Sequence, residues 1–393
     1  MKGLYIVAAV TMAGVAHRRH RDGRTPHSQH RARQAGPSRE WIGPPPGFIE
    51  VTSADPHRWP RRARTIPTVL AGSLVALALA PLAIPVIVVV DLVRGRRRWP
   101  LARTYLFGLR YGVNDSAEIL AAPLLWVVGG LGRSLASDSS QLRHWRLLNW
   151  SVSTLHREAG RLLELDTDVS EVDAAHVESA GPLIVLTRHV SMLDSSVPAL
   201  ALGLGSKWTM RGVFTDDMLA DPGFDLIYQR IGSVFIDRDD GPTARRVISG
   251  FSSHDDAHDA VAIFPEGGLA TPGRRQRALD RMAESHPARA ERLAGLRQLL
   301  PPRPGGTLAL LEALPTADVL VLGHVGAELL ATPSVLAHRA PVDSTLRIRS
   351  WRIPRSEIPV DPSAQIEWLD RTWLDLDGWV DRQLTAGGSP GTL

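Results

Sequence analysis

The sequence predicts an α/β fold, a mixed or mostly parallel sheet flanked by helices and preceded by N-terminal membrane-associated helices, and three observations carry the reading. Beyond about residue 135, short β-rich runs alternate with helical stretches, the pattern of strands joined by crossover helices. Residues 65–90 contain no charged side chain, a run longer than the roughly 20 residues a helix needs to cross a hydrocarbon core. A histidine and an aspartate stand just past one apolar run, in LTRHVSMLD, and are followed by VFIDR at 234–238 and IFPEGG at 263–268. Those intervals suit the ends of successive strands in one sheet, where ligands of open α/β sheets gather.

From the N-terminal side, residues 1–64 are expected to form a basic, Pro-rich disordered tail, with PPPG at 44–47 and too little apolar surface to fold alone. The uncharged run 3–16 resembles a signal core, but HRRHRDGR after it carries more positive charge than the leading end. That order opposes a signal peptide. Residues 65–134 are read as membrane-associated helix. Pro67, Pro81 and Pro85 fit a kinked span or a hairpin that dips into the bilayer and returns. Basic clusters flank both ends of the run, RWPRRAR before and RGRRR after, so positive charge does not choose an orientation. A second uncharged run, 119–132, is too short to span upright and reads as interfacial, re-entrant or core.

Residues 135–393 are expected to form the α/β domain, with strands at 182–187, 207–212, 233–238, 260–265 and 318–324. A long Arg-rich helical insert is expected at 274–300, and Pro and Gly after it punctuate a turn before another helix. STLRIRSWRIP alternates like a strand, and IEWLDRTWLDLDGWVDRQL repeats apolar residues at helical spacing. Its tryptophans are read as packing.

Composition narrows the chemistry. The 393 residues carry a formal charge of +4 that comes almost wholly from arginine, since Lys2 and Lys207 are the only lysines. Arg bias beside abundant Ala, Gly and Pro reads as genome base composition rather than nucleic-acid binding. With no cysteine there is no disulfide, no thiolate nucleophile and no zinc site built on sulfur. Of 14 histidines, His17, His189, His254 and His338 each precede an aspartate by five positions, so spacing alone selects nothing. Context does, because only His189 follows a buried-looking strand and precedes both later motifs. Ser191 followed by Asp194 also reads as a capping box at a helix start, and a carboxylate so fixed can accept the imidazole N–H as well. His189 is therefore the candidate general base and Asp194 its partner. Arg238 and Arg211 are candidate anion ligands, with surface pairing to Asp216, Asp217 or Asp239 as the plain alternative. Glu266 and Gly267 would shape the pocket, or simply make a strand-to-helix turn. A phosphotransferase reading from Asp237 and Asp239 fails on Gly241, and no GxSxG elbow exists for a serine hydrolase.

These blocks together resemble the 1-acylglycerol-3-phosphate acyltransferase family, within the wider glycerolipid acyltransferases whose first motif is His, four residues, Asp. Arg211 and DPGFDLIYQRIGSVFIDR at 221–238 are similar to the second block, FPEGG to the third, and VLVLGHVG at 319–326 to the apolar fourth. GLRQLLPPRPGGTLALLEAL is similar to the stretch after the third block in the branch of plant and lysocardiolipin-type enzymes. Two departures are Arg188 before the histidine, where Asn is common, and Gly268 where Thr or Ser is usual. The resemblance implies a glycerolipid-acyltransferase-like fold and acyl transfer from a thioester, acyl-CoA or acyl carrier protein, to a lysophospholipid hydroxyl. No metal and no further cofactor is implied. In that reading His189 and Asp194 are catalytic, and Arg238, Arg211, Glu266 and Gly267 bind substrate. The enzyme would sit at the cell membrane with its catalytic domain facing the cytoplasm. A different lysolipid or glycolipid acceptor, or a catalytically silent lipid-binding protein, is the alternative.

Overall fold

The computed structural model describes residues 55, 57–135, 137–178, 181–203, 208–251 and 258–386. The tail and uncharged run expected within 1–54, and the pair His254 with Asp259 at its histidine, lie outside the described residues.

Two long helices come first, α1 (Arg58–Val93) and α2 (Pro100–Val128). Residues 58–64, assigned to the tail from sequence, instead form the first turns of α1. Their guanidinium groups explain why. Arg61 and Arg62 both donate to Asp225, a fully buried carboxylate of the α/β domain, at 2.9–3.2 Å, which fixes backbone that composition alone would leave unfolded. Past the other end of α1, Arg98 reaches Glu164 at 2.7 Å. Asp91 accepts the Ala102 amide at 3.1 Å, closing the turn into α2. The two helices thus form a hairpin lying along the domain. Among the described residues α1 is the one helix long and apolar enough to cross a membrane. The second uncharged run forms the C-terminal part of α2 rather than a separate segment. Its Ile119 and Ala122 pack with Leu226 and Ile227, while Leu120, Leu124 and Val128 stay exposed.

Helix α3 (Asp138–Leu163) leads into the sheet. In chain order the remaining elements are β1 (Leu165–Glu171), α4 (Ala174–Glu178), β2 (Leu183–Thr187), α5 (Val197–Leu202), β3 (Thr209–Thr215), β4 (Val234–Ile236), α6 (Gly241–Ser249), β5 (Asp259–Ile263), α7 (Pro272–Ser285), α8 (Pro287–Leu293), α9 (Pro304–Ala313), β6 (Asp318–Val325), α10 (Pro333–Arg339), β7 (Ser344–Ile353) and α11 (Pro362–Ala386). The sheet has seven strands in the order β1-β7-β6-β2-β5-β3-β4, and every pairing is parallel except β6 with β7. Strands buried on both faces read as continuous apolar runs. Ile184, Leu186, Val261, Ile263, Val319 and Val321 face one core, and Leu183, Val185, Ala260, Ala262, Leu320 and Leu322 face the other. Only β1 was not expected from sequence. LDTDVSE buries one side chain, Leu165, so it shows no periodicity, and its pairing with β7 supplies the order.

The α11 tryptophans are core, as expected: Trp368, Trp373 and Trp379 pack in the larger cluster. The insert folds as α7 and α8. It is fastened to α11 by Asp370, which takes Arg289 and Arg292, and by Asp377, which accepts the amides of Arg297, Gln298 and Leu299.

Candidate active site

Strands β2, β4 and β5 run parallel through the sheet, so the residues after their carboxyl ends emerge on one rim, and these include His189, Arg238 and Glu266. His189 is gripped through three atoms. Its backbone N–H donates to Glu266 Oε1 at 2.9 Å, its carbonyl accepts the Ala270 amide at 2.6 Å, and its ring Nδ1 lies 3.0 Å from Asp194 Oδ2. The ring also packs on Phe264, with centroids 4.6 Å apart. Since an ionised carboxylate only accepts, Nδ1 carries the proton and Nε2 keeps its lone pair. Among the described residues Nε2 has no hydrogen-bond partner, and the side chain is 27% exposed. That nitrogen therefore faces outward.

Asp194 is fully buried. Its Oδ2 also accepts the amides of Val190 at 2.5 Å and Ser191 at 2.7 Å, while Oδ1 accepts the Ser191 hydroxyl. One carboxylate thus ties the turn and orients the imidazole, whereas the helix cap expected from Ser191 and Asp194 does not form: the N-cap of α5 is Ser196, without a side-chain cap. Burial alone would raise the Asp194 carboxyl, but His324, His189 and Ser191 hold it below the ordinary value. Sequence reasoning did not single out His324. It is fully buried on β6, with Nε2 3.6 Å from Asp194 Oδ1 and 3.3 Å from the Arg188 carbonyl, and burial pushes its pKa down. The signal was a lone histidine interrupting the apolar run VLVLGHVG.

Arg188 turns away from the imidazole beside it. Its guanidinium donates to the His324 carbonyl at 2.7 Å and to Glu328 at 3.1 Å. The like charge next to His189 is thereby paired and buried.

Glu266 is a structural bridge as well as a pocket wall. Oε1 takes the His189 amide, and Oε2 takes the Leu300 amide at 2.9 Å. Burial pushes its carboxyl up to about 8, against the pull of the Leu300 amide, Arg188 and the His189 amide. Gly267 adopts φ +63°, where a side chain is strained. An added Cβ there would stand 3.1 Å from Arg303 Cδ. Arg238 reaches the same loop, donating to the Gly267 carbonyl at 3.3 Å and to Asp217 at 3.2 Å. Its side chain is one-third exposed, so its Asp217 pair can exchange for another anion at small cost.

The expectation for Arg211 needs correction. Its guanidinium does not join this cluster but pairs with Asp259, and both side chains are buried. Asp259 opens β5, whereas Glu266 follows that strand's carboxyl end, so Arg211 points toward the opposite rim of the sheet. Sequence names a strand position but not which way a long side chain lies along it. The pair Asp237 and Asp239 is a turn, with the Asp239 amide donating to Asp237 at 2.8 Å.

Residues 169–322 match the protein-family model described as Acyltransferase. A search of curated proteins gives no match. Among solved structures the chain is similar to the crystal structure of the 1-acyl-sn-glycerophosphate (LPA) acyltransferase PlsC from Thermotoga maritima, with 12% identity and a TM-score of 0.44 over 73% of this chain and 97% of that one. The matched segment 169–322 holds His189, Asp194, Arg238 and Glu266, and the match supports an acyltransferase enzyme.

Proposed function

We propose that the protein moves a fatty acyl group from an acyl thioester to the free hydroxyl of a lysophospholipid, 1-acyl-sn-glycerol-3-phosphate in the first instance. One observation carries the reading: the outward Nε2 of His189, whose opposite nitrogen is tied to a buried, ionised Asp194. Nε2 takes the proton from the lipid hydroxyl as its oxygen attacks the thioester carbonyl. Asp194 stabilises the imidazolium that forms. Collapse of the tetrahedral adduct expels the thiolate, which recovers that proton, and no covalent enzyme intermediate is required. Arg238, beside the Gly267 carbonyl, takes the acceptor phosphate through charge-assisted hydrogen bonds.

The same proposal seats the protein on a bilayer through α1 and α2. Leu74, Leu82, Val86 and Val93 on α1 are exposed apolar side chains, joined by Leu120, Leu124 and Val128 on α2. Arg61 near one end of α1 and Arg98 just past the other are each held by the α/β domain. A helix bound to one domain near both ends lies in the interface more readily than across it, so we favour an in-plane hairpin over a span.

The test is an acyl-transfer assay of the full chain in membranes against several lysolipids. His189→Ala should lower turnover by at least ~10², and near-normal turnover would remove His189 as the base. Arg238→Ala should raise the lysolipid KM several-fold with the thioester KM unchanged. An unaltered lysolipid KM would reject the phosphate clamp.

A further inference from the structure

A second cluster of basic side chains lies beside the Glu266–Gly267 turn. The exposed side chains of Arg274, Arg277 and Arg281 of α7, with those of His286 and Arg303 and the half-buried Arg289, line an open groove of about 410 Å³ that Glu266 and Gly267 also line. That volume falls within the range of small-molecule sites, roughly 300–1,000 Å³. Two of these arginines are engaged in structure. Arg289 binds Asp370 and the Pro302 carbonyl, and Arg274 donates to the Leu269 carbonyl. Arg274 fits there because Gly268 has no side chain; a Cβ at that position would stand 2.6 Å from its Nη2. Arg277, Arg281 and Arg303 have no carboxylate partner among the described residues.

The row Arg274, Arg277, Arg281 shares one face of α7 at helical spacing, an arrangement in which like charges destabilise a helix. Neither acidic residue of α7 closes an ion pair with these arginines among the described residues. Asp280 accepts from Gln276 at 2.8 Å, and Glu284 makes no ion pair among the described residues. A bound anion would offset that repulsion. Gly267 separates this groove from Arg238, with Arg303 against its α-carbon and Arg238 on its carbonyl. Two anions can therefore bind without sharing ligands.

We propose that this groove is a second anion site that takes a multiply charged phosphate group of one of the two substrates, separate from the phosphate held by Arg238. The assignment to a substrate rests on the acyl-transfer reading above. Two sources carry this chemistry: the phosphorylated nucleotide end of a coenzyme-type thioester donor, and a further phosphate on the acceptor head group. Either lies one side chain from the catalytic histidine, because the carboxylate that walls the groove also accepts the His189 amide.

The experiment uses the full chain in detergent. Calorimetry with adenosine 3′,5′-bisphosphate, inorganic pyrophosphate and uncharged adenosine should show binding of the two anions only, weakening with salt. The double variant Arg277→Gln/Arg281→Gln should weaken that binding at least about tenfold. Arg275→Gln, on the same helix but outside the groove, should not. In the acyl-transfer assay the double variant should raise one KM. A rise for the coenzyme A thioester assigns the groove to the donor, and a rise for a doubly phosphorylated lysolipid assigns it to the acceptor. No anion binding in the wild type, or equal binding in the double variant, overturns the site, and two unchanged KM values overturn its assignment to a substrate. Since calorimetry needs no turnover, a wild-type chain that binds anions but transfers no acyl group would sink the function proposed above and leave the anion site standing.

Discussion

Replacing Asp194 by Asn separates the two duties of that carboxylate. It accepts His189 Nδ1–H at 3.0 Å, the amides of Val190 and Ser191 at 2.5 and 2.7 Å, and the Ser191 hydroxyl. An Asn carbonyl can keep the three donors on the Oδ2 side, while its amide faces a Ser191 oxygen free to accept once its proton turns away. The turn should survive. What disappears is the charge. Of the four hydrogen bonds only the one from Nδ1 strengthens as the imidazole gains a proton, and a charge-assisted bond contributes about 1.5–3 kcal/mol. Taking the upper value, kcat should fall roughly 10²-fold, with the lysolipid KM little changed. The decisive assay is a double-mutant cycle on acyl-transfer kcat. If Asp194 acts through the imidazole, His189→Ala/Asp194→Asn is no slower than His189→Ala alone. A further drop of the full single-variant size would refute that dependence, as would a wild-type rate for Asp194→Asn.

Three more outcomes follow from the structure. Arg211→Met breaks a buried ion pair with Asp259 and should cost about 3–5 kcal/mol in denaturant unfolding without moving the lysolipid KM; a KM change at unaltered stability would return Arg211 to the substrate. Glu266 has its carboxyl pushed up to about 8 from 4.5, so its contribution to stability is whole below about pH 4.5 and is lost as pH rises through about 8. Thermal melts of Glu266→Gln should lack that decline, at the cost of about 1–3 kcal/mol for one backbone amide left without an acceptor; identical pH slopes in the two proteins would contradict the burial argument. Asp225→Ala releases Arg61 and Arg62, so trypsin should cleave within residues 58–64 faster than in the wild type, and equal cleavage would show that α1 is held by other contacts.

Much of this was legible in the sequence because the strands buried on both faces announce themselves as short apolar runs. Once β2, β5 and β4 run parallel in one sheet, with β3 between the last two, His189, Glu266 and Arg238 emerge on the same rim by topology alone. Three misses share a cause: each depends on where a side chain goes after its backbone is placed. Arg211 sits in β3 as expected but runs back to Asp259. The start of α1 lies at Arg58 because a buried aspartate of the α/β domain, Asp225, draws two arginines to it. His324 is invisible as a motif because it meets Asp194 only after β6 pairs with β2. β1 was missed because an edge strand with one buried residue carries no pattern.

The loop that supports the histidine backbone is completed by the last helix. Trp373 Nε1 donates to the Leu300 carbonyl at 3.0 Å, the Leu300 amide donates to Glu266, and Glu266 accepts from His189. A chain emerging from the ribosome releases its N-terminal parts first, so His189, Asp194 and Glu266 are all made well before the Trp373 that braces them. A chain lacking α11 would keep both residues of the dyad but lose the brace under the histidine backbone, so its acyl transfer should fail although His189 and Asp194 are present.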